Sequence, residues 1–166
     1  MQFSSKIVPC LWFNDNGEEA VRYYTGIFPD SRITRVERYP AAGQEVHGHA
    51  AGKVMVVAFE LAGQSFTALN GGPQFKFTEA ISLQIMCDSA EEVDHYWSKL
   101  GEGGPVEAQQ CGWLKDRFGL SWQVVPKRMM EMLADPDKTK STRAFTAMMN
   151  MTKLDIPALE RAFNGQ

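Results

Sequence analysis

Cysteine is scarce and badly placed for cross-linking. Cys10, Cys87 and Cys111 are odd in number and far apart. They cannot form a complete disulfide framework and suit free, buried thiols in a reducing cytoplasm. Neither Cys-x-x-Cys nor His-Glu-x-x-His spacing occurs, which removes the common zinc motifs. No apolar run approaches the ~20 residues of a membrane span, so no membrane partner is expected. The opening stretch MQFSSKIVPCLWF lacks a charged start, a long apolar centre and a cleavage site, and does not read as a signal peptide. A basic excess is missing too: 17 Lys and Arg face 20 Asp and Glu, for a net charge of −3. With the signs mixed along the chain, nucleic acid is not an expected partner.

What remains is an ordinary globular composition, 44% hydrophobic and 22% charged over 166 residues. The informative feature is an internal repeat. FNDNGEEAVRYY (13–24) returns 73 positions later as MCDSAEEVDHYW (86–97), aligning Asp15 with Asp88, Glu18 with Glu91, Glu19 with Glu92 and Tyr23 with Tyr96. Gly63–Thr67 (GQSFT) likewise resembles Gly119–Gln123 (GLSWQ). A repeat of this length implies two similar modules.

The first module, about 4–72, reads as a strand over Lys6–Phe13 and a helix opened by Asp15 and Glu18 at capping-box spacing. Ala20, Tyr24, Ile27 and Phe28 fall on the inner face of that helix, and Pro29 ends it. A strand over Arg32–Tyr39 and a long loop over Pro40–Lys53 follow. Val54–Leu61 and Ser65–Leu69 then form a hairpin through Ala62-Gly63-Gln64. The second module, about 78–126, repeats the order. It has a strand over Ile81–Cys87, a helix capped by Ser89 and Glu92 with Gly101 at its end, and strands near Val106–Ala108, Cys111–Lys115 and Leu120–Val125. Each module therefore reads β-α-β-β-β. The tail, 127–166, changes to helices over Lys127–Ala134, Ser141–Met151 and Leu154–Phe163, with Asp155 as a cap and Pro157 in the first turn of the last. Six of the nine methionines lie in 129–151 and are expected to fill core or dimer-interface gaps, with a ligand-adaptive methionine surface as the alternative.

Several segments carry a family resemblance: FELAGQ (59–64), ALNGGP (68–73), EVDHYW (92–97), GWLKDRFG (112–119), SWQVVP (121–126) and AMMNMTKLD (147–155). Together they resemble the PhnB-like, or demethylubiquinone methyltransferase-like, family of the vicinal oxygen chelate superfamily, which includes glyoxalases and bleomycin-resistance proteins. The resemblance spans almost the whole chain. It implies an α+β fold of tandem βαβββ modules forming a curved sheet around a cleft, followed by C-terminal helices, in one glyoxalase-like domain over 1–166. It also implies a metal held by one residue from the first strand and one from the last strand of each module.

Carried through the repeat, those four positions fall on Pro9 (or Val8, with a slip of one residue), Thr67, Ser82 and Gln123. Proline has no donor, and neutral hydroxyls hold divalent ions poorly without carboxylate or imidazole companions. No metal and no cofactor are therefore expected. The His47/His49 pair reads as part of an exposed loop, His95 as a surface residue, and Asp116-Arg117 as a turn. Gly71-Gly72-Pro73 does not lead into a helix and Gly103-Gly104-Pro105 follows one, so neither fits the strand–glycine turn–helix that S-adenosylmethionine-dependent methyltransferases need.

By strand alternation the candidate cleft carries Pro9, Leu11, Phe13, Thr67, Ser82, Gln84, Met86 and Gln123, with Trp113 and Lys115 on its wall, while Cys10 and Cys87 face the helices. Cys111 is the thiol placed nearest the cleft. Apolar walls with a few neutral hydrogen-bonding groups suit a small organic ligand. The expectation is a metal-independent small-molecule-binding protein, homodimeric and cytoplasmic. The alternatives are an enzyme acting on an aromatic or oxygenated metabolite, which a carboxylate or thiol turned into the cleft would favour, and a structural dimeric module with a filled cleft.

Overall fold

The computed structural model describes residues 6–166 and divides into two compact units, one ending at Lys76 and the other beginning at Phe77. The first unit runs β1 (Cys10–Phe13), α1 (Gly17–Ile27), β2 (Arg32–Arg38), α2 (Gln44–His47), β3 (Val54–Leu61) and β4 (Gln64–Asn70). Its sheet has the order β1-β4-β3-β2, with β1 parallel to β4 and the other pairs antiparallel. The two-residue turn Ala62-Gly63 has φ of 46° and 80°, the left-handed pair that suits the twist of a tight hairpin. Helix α1 buries Ala20, Val21, Tyr24 and Ile27, and each of the larger side chains contributes about 1.5–3 kcal/mol by leaving water. Within the stretch expected to be loop, Gln44–His47 forms a single helical turn.

The capping box expected from Asp15 and Glu18 does not form. Asn16 is the N-cap and its side chain makes no capping bond. The acceptor arrives from β4 instead: Asn70 Oδ1 takes the Gly17 N–H at 2.8 Å. A Cβ at Gly17 would lie 2.7 Å from that oxygen, so this close approach requires glycine. Asn70 also donates to the Val54 carbonyl at 3.1 Å, tying helix and hairpin together. Glu18 is left to pair with Arg22 one turn along.

The second unit runs β5 (Leu83–Cys87), α3 (Ala90–Gly101), a 3₁₀ turn at Val106–Ala108, β6 (Trp113–Lys115), β7 (Ser121–Pro126), α4 (Lys127–Leu133), α5 (Lys138–Met149) and α6 (Ile156–Asn164). Its sheet has three strands in the order β5-β7-β6, with β5 parallel to β7. The strand expected near Val106–Ala108 is therefore absent. There the backbone closes on itself, with Ala108 N–H donating to Pro105 O and Gln109 N–H to Val106 O. Pro105 itself has no N–H for a ladder. The Ser89 cap of α3 does form, its Oγ accepting from Glu92 N–H at 3.3 Å, while the Glu92 carboxylate accepts from the N–H of Asp88, one residue before the N-cap, at 2.7 Å. Gly101 is the last residue of α3 and Glu102 its C-cap, so the glycine lies inside the helix rather than just beyond it.

Asp116 is buried, and its carboxylate organises the β6–β7 turn. Oδ1 accepts from the Phe118 and Leu120 N–H groups at 2.8 and 3.1 Å, and Oδ2 accepts from Trp122 Nε1 at 2.8 Å. The three C-terminal helices join Val125 of β7 in one apolar cluster with Met129, Met132, Ala144, Leu154, Leu159 and Phe163. Asp137 and Asp155 cap α5 and α6. Two further backbone bonds fasten the segment between these helices to the sheet: Cys111 N–H donates to Met151 O and Gly112 N–H to Thr152 O, each at 2.8 Å.

Candidate functional site

Strand register decides which side chains share a face. In the second unit Gln84, Gln123 and Trp113 lie abreast on β5, β7 and β6. Their face is opposite the one carrying Ile85, Cys87, Trp122 and Val124, all buried. A polar chain crosses it: Gln123 Nε2 donates to Ser82 Oγ at 2.8 Å, and Gln84 Nε2 donates to Gln123 Oε1 at 3.3 Å. Ser82, Gln84, Gln123 and Trp113, four of the expected site residues, therefore occupy one surface.

The first unit departs from the expected phase. Cys10 pairs with Thr67 as Gln84 pairs with Gln123, so the strands match at an offset of 74, one more than the offset of 73 between the helix caps Asn16 and Ser89. The surplus residue lies in the longer β1–α1 loop. One residue inverts a strand's faces. Leu11 and Phe13 consequently turn to the α1 side: Leu11 lies beside Ala68 and Phe13 beside Asn70, the residue bonded to the helix start. Both are buried. Cys10, expected to be covered by the helix, is exposed, and Cys87 is buried as expected. Burial, with the nearby Glu92 and Asp88 carboxylates adding to it, pushes the Cys87 thiol up to about 12. The counterpart of Ser82 becomes Val8 rather than Pro9. Pro9 is half-buried and its carbonyl accepts from Thr67 N–H at 3.0 Å.

The positions that the resemblance assigns to a metal thus carry Val8, Thr67, Ser82 and Gln123. Valine offers no donor, and Thr67, Ser82 and Gln123 offer only neutral oxygens with no carboxylate or imidazole beside them. This set does not fit a divalent ion. Among the described residues no group of three His, Cys, Asp or Glu side chains is placed to hold one. His47 and His49 are half-buried rather than exposed and pile against Tyr39, with ring centroids 4.7 and 4.3 Å from it. His47 Nδ1 accepts from His49 N–H. His95 is exposed, as expected.

Beside the Gln84–Gln123–Trp113 row lies a pocket of about 540 Å³ lined by Trp113, Gln123 and Val125 of the sheet, by Ala108, Gln110 and Cys111, and by Met129, Met148, Met149 and Leu154 from the tail. Its walls are mostly apolar, and Cys111 is its one titratable lining residue. Cys111 has φ of 50°, a region that side-chain-bearing residues rarely adopt, and its Sγ donates to the Met149 carbonyl at 3.6 Å. Of the expected site residues, Trp113 and Gln123 line this pocket. Of the tail methionines, Met129, Met148 and Met149 line this pocket, the arrangement that the ligand-adaptive alternative to simple packing requires.

These features define a mixed α+β protein built of two sheet-and-helix units with a helical C-terminal segment. The model of the 3-demethylubiquinone-9 3-methyltransferase family matches residues 5–125, and the chain belongs to that PhnB-like family. Among solved structures it is similar to the PhnB protein from Bacillus cereus, at 32% identity and a TM-score of 0.63, over 74% of this chain and 99% of that one. A protein from Pseudomonas aeruginosa is similar at 23% identity and a TM-score of 0.51, over 74% and 98%. No curated protein matches the chain. Among the described residues no helix is long and apolar enough to cross a membrane.

Proposed function

We propose that this protein is a metal-independent small-molecule-binding member of the vicinal oxygen chelate superfamily, with its ligand in the second unit's pocket. The observation that carries this reading is the pocket itself: about 540 Å³, largely apolar, with Gln123 and Trp113 on its sheet wall. An open volume of that size counts against a purely structural module with a filled cleft. Superfamily membership is supported by the repeated parallel pairing of the first and last strands, β1 with β4 and β5 with β7. A homodimer is supported by exposed Met130, Phe145 and Met149 on α4 and α5. A cytoplasmic location is supported by three free cysteines. Methyl transfer draws no support from the folding pattern. The strand-to-helix connections 14–16 and 88–89 lack a glycine-rich turn, and neither sheet is doubly wound.

One observation favours the enzymatic alternative, the Cys111 thiol on the pocket wall. An activated thiol has a base or cation beside it, and the pocket lining supplies neither. Binding is therefore the better-supported reading. Its test is a thermal-shift screen of uncharged small molecules against the full chain, with and without a chelator, each hit being mapped by protection of Cys111 from iodoacetamide. The expected result is hits that protect Cys111, ignore the chelator and are recovered unchanged. Hits that need a divalent ion or leave Cys111 unprotected would overturn the assignment. Consumption of the compound, abolished by Cys111→Ser, would establish the enzyme instead.

A further inference from the structure

Resting on that reading, we propose that the C-terminal helices make the pocket selective for a neutral aromatic molecule carrying one hydroxyl or comparable hydrogen-bonding group. The family match ends at residue 125, whereas four of the ten pocket-lining residues, Met129, Met148, Met149 and Leu154, lie beyond it. The wall facing the sheet is thus built from residues that follow the stretch matched by the family model.

Three properties of the wall select the ligand class. The first is charge: no Lys, Arg, His, Asp or Glu lines the pocket. An ionised ligand would lose its hydration without gaining a partner. The second is shape and polarisability. Three thioethers and the Trp113 indole line the same pocket, and both sulfur–aromatic and ring–ring contacts favour a flat π-system over a saturated skeleton of equal size. The third is the Gln123 amide. Of its two N–H groups one is given to Ser82, and of its two lone pairs one is taken by Gln84. One donor and one acceptor remain, and a single hydroxyl can satisfy both.

Titration calorimetry of the full chain with four probes on one bicyclic skeleton tests this: 2-naphthol, naphthalene, decahydro-2-naphthol and 2-naphthoate. The expected order is 2-naphthol tightest. Naphthalene should be about tenfold weaker for want of the hydrogen bond, decahydro-2-naphthol roughly three- to tenfold weaker than 2-naphthol, and 2-naphthoate undetectable. Gln123→Met should bring 2-naphthol down to the naphthalene level and leave naphthalene unchanged. The double variant Met148→Leu/Met149→Leu keeps side-chain volume and hence the fold. It should weaken both aromatic probes and spare the saturated one. Equal binding of 2-naphthol and decahydro-2-naphthol, with Cys111 protected by both, would overturn the selectivity while leaving the binding function standing. Tight 2-naphthoate binding, aromatic affinity indifferent to the methionine changes, or failure of all four probes to bind would likewise overturn it. The binding function itself falls only if the wider screen yields no compound that protects Cys111.

Discussion

Replacing Asp116 with asparagine changes one atom of a buried side chain and should cost the second unit much of its stability. The carboxylate accepts from Phe118 N–H, Leu120 N–H and Trp122 Nε1–H, all within 3.1 Å. An asparagine keeps one oxygen, which can still serve the two backbone donors, but those bonds lose their charge assistance, about 0.5–1 kcal/mol each. The other terminus becomes an NH₂ facing the indole N–H, donor against donor. That bond is lost and both groups stay desolvated, at about 1–3 kcal/mol. The sum is about 3 kcal/mol. With a urea dependence of about 2 kcal/mol per molar, the unfolding midpoint should fall by roughly 1.5 M at unchanged slope. Tryptophan fluorescence and far-UV circular dichroism would read the transition. A midpoint drop below about 0.3 M would refute the argument that this carboxylate holds the turn. A double-mutant cycle with Trp122→Phe sharpens the test. Once the indole N–H is gone the asparagine has nothing to oppose, so the two substitutions should be less than additive by about 1–2 kcal/mol. Strict additivity would show that the Asp116–Trp122 bond contributes nothing.

Three other outcomes follow from single positions. Ala62 occupies a left-handed position at φ 46° that asparagine tolerates better, so Ala62→Asn should raise stability by about 0.5–1 kcal/mol, seen as a higher melting temperature. Among the thiols, Cys10 should react with iodoacetamide in the native protein and Cys87 only after unfolding. Because the folded Cys87 thiol lies at about 12 against 9.0 for the free group, the unfolded chain gives up this proton first. Its contribution is complete below pH 9 and is lost as the pH climbs toward 12, by a few kcal/mol at most. A Cys87→Ala variant should show a flatter alkaline limb, and an unchanged limb would contradict the assignment.

Much of the fold was legible because its signals are local. The apolar stripe of α1, the Ser89 cap of α3 and the Asp155 cap of α6 each lie within a few residues of what they stabilise. What escaped depended on partners distant in sequence. The start of α1 is held by Asn70, 53 positions away, and no local capping rule could name it. The missing strand at Val106–Ala108 reflects the turn that Pro105 and its neighbours prefer once the chain is folded. At the candidate site, Gln123 could be placed on the second sheet from the repeat and Trp113 from the GWLKDRFG stretch, and both line the pocket. Leu11 failed because an alignment anchored on helix residues was carried through a loop one residue longer in the first module. The tail was readable as three helices with methionines inside, but which methionines are buried and which line a pocket is set by how α4 packs on β7 and α5 on α4 and α6.

The two hydrogen bonds from Cys111 and Gly112 to Met151 and Thr152 make the C-terminal segment something other than a late appendage. Together with Leu154 in the apolar cluster, they mean that peeling the tail away would strip partners from strand-flanking amides and uncover Val125 at the same moment. Tail and second sheet should therefore open together. In native-state hydrogen exchange the Cys111 and Gly112 amides would report on whole-unit unfolding rather than on fraying of a terminus, and a protease would find no early cut between α4 and α6.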